Sequence, residues 1–409
     1  MEIRDELSNI KLIINDKHPA PLHLPDNYQE KTAQEVRRFH TTIKGYKATP
    51  LVALTALSGE LGVSGIYVKD ESYRFGLNSF KGLGATYAIA QLLNEILHIR
   101  TKEVHFELFK KDEIRKKIKD MVLVTATDGN HGKGVAWAAT QLGCKSIVYL
   151  PKGAASQRVN AIKQAGADTF VTEYNYDDTV RYAAKMAKEK GWYLVQDTGF
   201  EGYEKIPNWI SQGYMTMVVE ALDQLKLEGV ESPTHVFLQA GVGAMAGGIL
   251  GYLVNRYHGK HPSTIIMEPE KAACIYKSAY IGDGKPHNVL GELDTIMAGL
   301  SCGEPNKITW EILRDYSTAY VSCPDFVSAN GVRILGNPLG NDKKVVSGES
   351  GSVGIGLLHL LMTKNNLAEM RKALGLGKDS ILLFFNTEGD TDPENYRKIL
   401  HEGKYPSII

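Results

Sequence analysis

Short runs of β-branched and aromatic residues alternate with helical patterns along most of this 409-residue chain. The stretches between the runs place apolar residues at helical spacing, as in 177–190, where Asp177 can cap the start of a helix and Gly191 its end. This alternation predicts parallel sheets covered by helices, and periodicity alone leaves open whether there is one sheet or two. The eight predicted strands begin at Ile66, Met121, Ser146, Asp168, Tyr193, His235, Thr264 and Ile381.

The charge balance argues against a polyanionic partner. Lys+Arg and Asp+Glu both number 47, so the formal net charge is zero. The sequence has no long run of like charges that could form a binding surface for nucleic acid. The four cysteines are far apart and form no CxxC pair, which favours a reducing compartment. The charged N-terminus lacks the apolar core of a signal peptide. We therefore expect a cytoplasmic protein without a nucleic-acid partner.

The apolar stretch 236–254 approaches the length of a membrane-spanning helix. It contains glycine at five positions and divides into a short strand, a glycine-rich turn and the start of a helix. We therefore expect no membrane partner.

The first chemical motif is the segment 78–85, NSFKGLGA, which places Lys81 at the opening of a helix. The positive end of the helix macrodipole raises the cost of a charge there, and partial burial also lowers the pKa of an amine. Both effects predict a neutral Lys81, the form that attacks an aldehyde to make an imine. The simpler alternative is an ordinary surface lysine.

The second motif is the small polar loop 125–132, TATDGNHG, between a predicted strand and a helix. Its backbone N–H groups suit a carboxylate such as that of an amino acid. The alternative is a tight turn in which Asp128 caps the helix.

The third motif is the glycine-rich segment 241–248, GVGAMAGG, which follows a strand and opens a helix. Glycines let the backbone approach a phosphate closely. The absence from this motif of a lysine followed by Ser or Thr argues against a P-loop, whereas a dinucleotide site with Glu268 as its acidic residue stays open. His258 and His261 have no evident third ligand, so we predict no metal site.

These three motifs and the C-terminal segment 386–390 resemble, in this order, the fold type II pyridoxal-phosphate enzymes, the group of tryptophan synthase β and threonine dehydratase. The resemblance spans about residue 49 to about residue 392. Within that group the chain is most similar to the diaminopropionate ammonia-lyases. The segments that carry this are NSFKGLGATYA, TATDGNHGKGVAWAA, VQDTGFEGYEKIPNWISQGY, LQAGVGAMAGG, SGESGSVG and FNTEGDTDPENY. Asp128 is a departure, since many relatives carry a serine or another small residue there.

The resemblance implies an α/β fold of two open, mostly parallel twisted sheets flanked by helices. Pyridoxal 5'-phosphate would lie between a large domain, residues 1–89 and 201–409, and a small domain, residues 90–200, that carries the carboxylate loop. The family expectation is a homodimer acting on a small-molecule amino acid.

The resemblance also implies roles for individual residues. Lys81 is the expected imine lysine and the base for the L isomer, Asp128 the base for the D isomer, and Asp197 the partner of the substrate's second amine. The expected cofactor-binding residues are Lys81, Asn130 at the phenolic oxygen, Gly241, Val242, Gly243, Ala244 and Met245 at the phosphate, and Asn386 and Thr387 at the ring nitrogen. The expected substrate-binding residues are Ser79, Thr127, Asp128, Gly129, His131 and Asp197.

The implied reaction is elimination of ammonia from D- and L-2,3-diaminopropionate to give pyruvate and a second ammonia. Two alternatives stay open. One is a serine or threonine dehydratase-type lyase on the same fold, and the other is a protein that binds pyridoxal phosphate or a nucleotide without turnover.

Overall fold

The computed structural model describes residues 2–16, 24–99, 104–127 and 129–408. Within these ranges, twelve strands form two sheets. The strands are β1 (Glu2–Arg4), β2 (Lys11–Ile14), β3 (Leu51–Ala53), β4 (Gly65–Asp70), β5 (Val122–Ala126), β6 (Lys145–Leu150), β7 (Asp168–Val171), β8 (Tyr193–Leu194), β9 (His235–Gln239), β10 (Ser263–Pro269), β11 (Ala319–Cys323) and β12 (Ile381–Asn386).

Helices connect and cover these strands. The α-helices are α1 (Glu30–Thr41), α2 (Thr55–Leu61), α3 (Lys81–Ile96), α4 (Asp112–Ile118), α5 (Asn130–Leu142), α6 (Ser156–Gln164), α7 (Tyr176–Lys190), α8 (Lys205–Gly213), α9 (Met215–Leu227), α10 (Ala244–Arg256), α11 (Cys274–Ile281), α12 (Lys307–Tyr316), α13 (Asp325–Gly336), α14 (Glu349–Thr363), α15 (Ala368–Ala373) and α16 (Pro393–Glu402). No helix in the described ranges is both long enough and apolar enough to cross a membrane.

The larger sheet has eight strands in the order β1-β2-β11-β10-β9-β12-β4-β3. Its central strands, from β11 to β4, pair in parallel, while β1, β2 and β3 pair antiparallel at the two edges. The smaller sheet, β7-β6-β5-β8, is parallel throughout. The prediction of two mostly parallel sheets is therefore confirmed.

The central strands of each sheet are buried on both faces, as expected of parallel sheets, whereas Phe170 and Val171 of the edge strand β7 are exposed. Along β10, Ile266 packs into one hydrophobic cluster while Ile265 and Met267 pack into another, because successive side chains point to opposite faces. In the smaller sheet, Val124 and Val148 likewise belong to separate clusters. Helices thus pack against both sheets, and the carboxyl ends of the parallel strands are where a ligand site is expected.

The start of helix α7 differs from the sequence-based prediction. Helix α7 is capped by Asn175, whose side chain accepts from the Asp178 N–H at 2.8 Å, so the cap predicted at Asp177 is wrong. An N-cap side chain must precede the first free N–H groups, and Asp177 already lies inside the helix.

The predicted domain division stays a prediction. The smaller sheet lies within 90–200, whereas α3 continues through residue 89.

Candidate active site

Lys81 is the first residue of α3 and lies beside the carboxyl end of β12. The chain before it pairs with the chain after β12, since the Phe80 N–H donates to the Thr387 carbonyl at 3.2 Å and the Gly389 N–H to the Asn78 carbonyl at 3.1 Å. Asn78 adopts φ +57°, a left-handed conformation that Asn tolerates better than most residues. This pairing brings the lysine to the edge where the parallel strands end.

Lys81 forms an ion pair with Asp197. Its Nζ lies 2.7 Å from Asp197 Oδ2, and the two side chains are 16% and 4% exposed. Burial alone lowers the pKa of Lys81, but the Asp197 carboxylate more than offsets it and holds that pKa above its ordinary value. The prediction of a neutral Lys81 is therefore wrong for this arrangement. The helix-start and burial effects that it rested on are outweighed by a carboxylate in hydrogen-bonding contact.

Asp197 follows β8 and is almost fully buried. Burial alone would raise the pKa of this carboxyl, but the charge and the hydrogen bond of the Lys81 ammonium group hold it down at about 2. Its main-chain oxygen accepts from Asn306 Nδ2 at 2.8 Å, which fixes the backbone. In this arrangement the Asp197 carboxylate is ionised at neutral pH, and it lies in the cavity where it can bind an ammonium group.

Two aromatic rings face the same ammonium group. The Phe80 ring centroid lies 5.4 Å and the Tyr214 ring centroid 6.0 Å from Lys81 Nζ. Ring faces attract a cation at such distances, and the attraction grows where water is excluded. Carboxylate and rings together make this a site for a positively charged amine.

His131 is neutral and offers an acceptor to the same region. Burial is the main cause that lowers its pKa. Its Nε2 lies 2.9 Å from the Val195 carbonyl, so Nε2 carries the proton and Nδ1 is the acceptor. Nδ1 is 3.9 Å from Asp197 Oδ2 and has no hydrogen-bond partner among the described residues.

The polar loop between β5 and α5 is shaped by one of its own side chains. Thr127 Oγ1 accepts from the Gly129 N–H at 2.9 Å and from the Gly132 N–H at 3.0 Å. This hydroxyl therefore organises the loop. Asn130, the first residue of α5, reaches the cavity. Asp128 lies outside the described residues.

The glycine-rich motif connects β9 to α10. Gly243 adopts φ +91°, which disfavours side chains, and a Cβ on it would meet Leu313 Cδ1 at 2.8 Å. A Cβ on Gly241 would lie 3.2 Å from Cys302 Sγ. The turn thus requires glycine at 243 and leaves little room for a side chain at 241, and it presents the free N–H groups of the first turn of α10 to the cavity. This is the geometry that binds phosphate.

The two residues predicted to face a ring nitrogen differ in their surroundings. Thr387 Oγ1 accepts from Gln239 Nε2 at 2.9 Å, which leaves its own hydroxyl hydrogen free to donate. Asn386 donates both amide hydrogens, to Asp70 Oδ1 at 2.8 Å and to the Val346 carbonyl at 3.0 Å. Thr387 can therefore donate a hydrogen bond to a ligand, whereas both amide hydrogens of Asn386 already donate to groups of the protein.

These elements enclose a cavity of about 650 Å³, including its open mouth. Among the predicted residues that the structure describes, Ser79, Thr127, Gly129 and Asn386 lie outside its lining. The predicted residues that line it are Lys81, Asn130, His131, Asp197, Gly241, Val242, Gly243, Ala244, Met245 and Thr387.

Sequence reasoning gave no role to the lining residues Gln239 and Glu388, nor to Tyr214, whose ring centroid lies 6.0 Å from Lys81 Nζ. Gln239 and Glu388 end or follow parallel strands, and that position was the signal that could have found them. Tyr214 lies between α8 and α9 and is brought in by helix packing, for which the local sequence holds no signal.

A larger groove of about 1430 Å³ lies elsewhere, and its lining includes Tyr280, Trp310 and Arg314. Its lining, within the part of the chain that the structure describes, contains none of the predicted site residues. Size alone does not identify a site, so we assign the chemistry to the cavity around Lys81.

The cavity fits pyridoxal phosphate in three independent respects. It holds a lysine amine for the aldehyde, a glycine turn at a helix start for the phosphate and a threonine hydroxyl free to donate to a ring nitrogen. On a fold of two mostly parallel sheets, such a cavity defines the class as the pyridoxal-phosphate-dependent enzymes.

Comparisons with known proteins identify the family of the chain within this class. The model of the family described as "Pyridoxal-phosphate dependent enzyme" matches residues 43–374. The diaminopropionate ammonia-lyase of Escherichia coli strain K12 is 52% identical over 378 residues, which cover 92% of this chain and 93% of that protein. The chain belongs to the pyridoxal-phosphate-dependent enzymes and, within them, to the diaminopropionate ammonia-lyase family.

Solved structures agree with this assignment. The E. coli diaminopropionate ammonia-lyase in complex with an aminoacrylate–PLP azomethine reaction intermediate superposes with a TM-score of 0.90 at 48% identity, covering 98% of this chain and 99% of that one. The same E. coli enzyme in complex with D-serine gives a TM-score of 0.91 at 48% identity, with the same coverage of both chains. The resemblance seen in the sequence motifs is thus confirmed.

The glycine turn permits a direct test of the phosphate site. In Gly243→Ala the new Cβ would meet Leu313 and strain a left-handed backbone, so we expect cofactor affinity to fall roughly tenfold or more. Gly229→Ala is the matched control, because Gly229 has φ +78° but nothing within 4 Å of a Cβ. Titration of cofactor-free protein with pyridoxal phosphate measures both, and equal dissociation constants would contradict the assignment.

Proposed function

We propose that this chain catalyses the elimination of ammonia from 2,3-diaminopropionate, in both its D and L forms, with uptake of one water to give pyruvate and two ammonia molecules. The observation that carries the proposal is the buried ammonium site made by Asp197. The ammonium group of Lys81 already occupies this site. It lies 2.7 Å from the Asp197 carboxylate and faces two aromatic rings.

The substrate's second amine has the same chemistry as the Lys81 ammonium group. Asp197 and the free acceptor Nδ1 of His131 can both accept hydrogen bonds from it. The hydroxyl of serine or threonine is neutral and gains less from a carboxylate, so a dehydratase would have little use for this charge. The electrostatics therefore favour diaminopropionate over the dehydratase alternative.

The cofactor-binding roles follow from the cavity lining. The amides of 241–245 would hold the phosphate, Asn130 the phenolic oxygen, and Thr387 the ring nitrogen through its free hydroxyl hydrogen. When bound, pyridoxal phosphate supplies the electron sink that makes the α-proton acidic. A neutral donor at the ring nitrogen leaves that nitrogen unprotonated, which suffices when a leaving group departs quickly.

Two residues are proposed to move the α-proton. Lys81, once released by the incoming amine, takes it from the L isomer, and Asp128 takes it from the D isomer. A carboxylate in the carboxylate-binding loop is a stronger base than the serine hydroxyl of many relatives. The E. coli relative whose structure holds D-serine supports a site of this family that admits a D amino acid.

A substrate panel tests the proposal. Pyruvate and ammonia are measured for D- and L-diaminopropionate, serine and threonine, with the wild type and with Asp128→Asn. We expect both diaminopropionate isomers to be preferred, with two ammonia molecules per pyruvate, and we expect the variant to lose mainly its D activity. Equal or greater turnover of serine or threonine would refute the substrate assignment, and equal losses on both isomers would refute the role of Asp128.

We further propose a cytoplasmic homodimer. Twofold pairs are the commonest oligomers, and the four cysteines, all of them among the described residues, form no disulfide, which suits a reducing compartment. Analytical ultracentrifugation that returned a monomer would contradict the assembly.

A further inference from the structure

We propose that Glu388 is a positioning residue, which holds the Asn130 side chain with its amide donor directed at the cofactor's phenolic oxygen. This inference rests on the proposed cofactor site. Glu388 follows β12 and lines the cavity, yet its carboxylate is engaged by protein groups.

Three donors converge on the Glu388 carboxylate. Asn130 Nδ2 donates to Oε2, Thr391 Oγ1 donates to Oε2 at 3.3 Å, and the Ser350 N–H donates to Oε1 at 3.1 Å. Ser350 lies in the first turn of α14, so Oε1 also satisfies an otherwise unpaired helix N–H. Glu388 as a whole residue is only 5% exposed, and these three donors fix the position of its carboxylate.

The contact between Glu388 and Asn130 joins the two layers of the protein. Asn130 begins α5, which follows a strand of the smaller sheet, whereas Glu388 follows a strand of the larger sheet. The two residues are 258 positions apart in the chain. The orientation of Asn130 is therefore controlled by a group on the other side of the cavity, not by its own helix.

A carboxylate selects one of the two orientations of an asparagine amide. The amide has an NH2 end with two donors and a carbonyl end that only accepts, and a carboxylate accepts but does not donate. Glu388 therefore binds the NH2 end, and one N–H remains on the same nitrogen. The flipped amide would put its carbonyl oxygen beside Glu388, where the two acceptors repel.

The phenolic oxygen of the cofactor gains from a donor and is repelled by a carbonyl oxygen. The selected orientation is thus the one that strengthens cofactor binding and stabilises the anionic form of that oxygen, which absorbs at longer wavelength. In Glu388→Gln the amide can pair in either orientation, so this selection is lost. We expect the dissociation constant for pyridoxal phosphate to rise about tenfold, with a shift of absorbance toward shorter wavelength.

A double-mutant cycle distinguishes positioning through Asn130 from a structural role. The dissociation constant and the absorption spectrum are measured for the wild type, Glu388→Gln, Asn130→Ala and the double variant. Positioning predicts that Glu388→Gln has no further effect once Asn130 is Ala. Additive effects would overturn the inference. Asp342→Asn is the matched control, since Asp342 also accepts from N–H groups at a helix start, those of Ala56 and Leu57, and lies outside the cavity lining, so we expect it to retain wild-type affinity.

An exchanged pair provides the second variant in case the single substitutions fold poorly. Asn130→Asp combined with Glu388→Gln keeps a hydrogen bond between the two positions but faces the cofactor with a carboxylate. Positioning predicts a folded protein with weak cofactor binding and the short-wavelength spectrum, whereas restored affinity would overturn it. Failure of the wild type itself to bind pyridoxal phosphate would instead refute the proposed function.

Discussion

Lys81→Ala is expected to abolish covalent capture of pyridoxal phosphate and to lower turnover by about two to four orders of magnitude, the usual effect of losing a catalytic acid or base. Lys81 lies in the cavity beside the glycine turn and the Thr387 hydroxyl, so its amine is the one placed to meet the aldehyde of a cofactor held there. The glycine amides remain in the variant. Some phosphate affinity should therefore persist even though the covalent bond cannot form.

Borohydride reduction followed by peptide mass spectrometry measures the covalent step. The wild type should carry a reduced adduct on the peptide that contains residue 81, and the variant should carry none. Lys133→Ala is the matched control, because Lys133 is a nearby half-buried lysine whose pKa is lowered by burial and whose Nζ donates to the Leu77 carbonyl. Near-normal turnover in Lys81→Ala, or an adduct that disappears in the control instead, would eliminate Lys81 as the cofactor lysine.

The parallel core of the fold could be read from the sequence because its strands are short apolar runs. All eight predicted strands are present, and they include every strand of the smaller sheet. Four strands were missed. Strands β1, β2 and β3 have three or four residues and pair antiparallel at the edges of the larger sheet. The fourth is β11. The three edge strands depend on antiparallel pairing with a neighbour, for which a local pattern has no signal, whereas β11 is a buried five-residue run that the sequence analysis did not recognise.

The residue types of the candidate site could also be read from the sequence, but their charge states and internal hydrogen bonds could not. The neutral Lys81 was inferred from local effects, whereas its partner Asp197 lies 116 positions away. Thr127 and Asn386 were predicted to contact ligands, yet their side chains organise the loop and the β12 end. Short polar side chains satisfy nearby backbone groups first, and only the folded chain shows which remain free.

Asp197→Asn is expected to change substrate turnover and cofactor capture in opposite directions. Without its charge the cavity holds the second amine of diaminopropionate less firmly, so kcat/KM for this substrate should fall by about two orders of magnitude. The kcat/KM for serine should fall much less, because its neutral hydroxyl gains little from the charge of the Asp197 carboxylate. The ratio of the two kcat/KM values therefore isolates the ammonium site from general damage to the enzyme.

Capture of the cofactor should respond to the same substitution through the pKa of Lys81. The carboxylate of Asp197 raises that pKa and burial lowers it, so loss of the carboxylate leaves burial as the main effect and the pKa falls. More of the amine is then unprotonated near neutral pH, and only the unprotonated amine attacks an aldehyde. In the wild type, capture should accelerate as pH rises toward the raised pKa, whereas in Asp197→Asn it should be faster at neutral pH and less dependent on pH.

Stopped-flow absorbance of cofactor-free protein mixed with pyridoxal phosphate across a pH series measures this capture rate. Asp70→Asn is the matched control, since Asp70 is also a buried carboxyl but lies at the end of β4, bonds to Ser72 and Asn386 and is not part of the cavity lining. An unchanged pH profile in Asp197→Asn would mean that the carboxylate does not govern the lysine. A uniform loss on diaminopropionate and serine would mean that it does not bind the second amine. Because one carboxylate is proposed to do both, the two measurements must change together, and a change in only one would separate substrate recognition from control of the lysine.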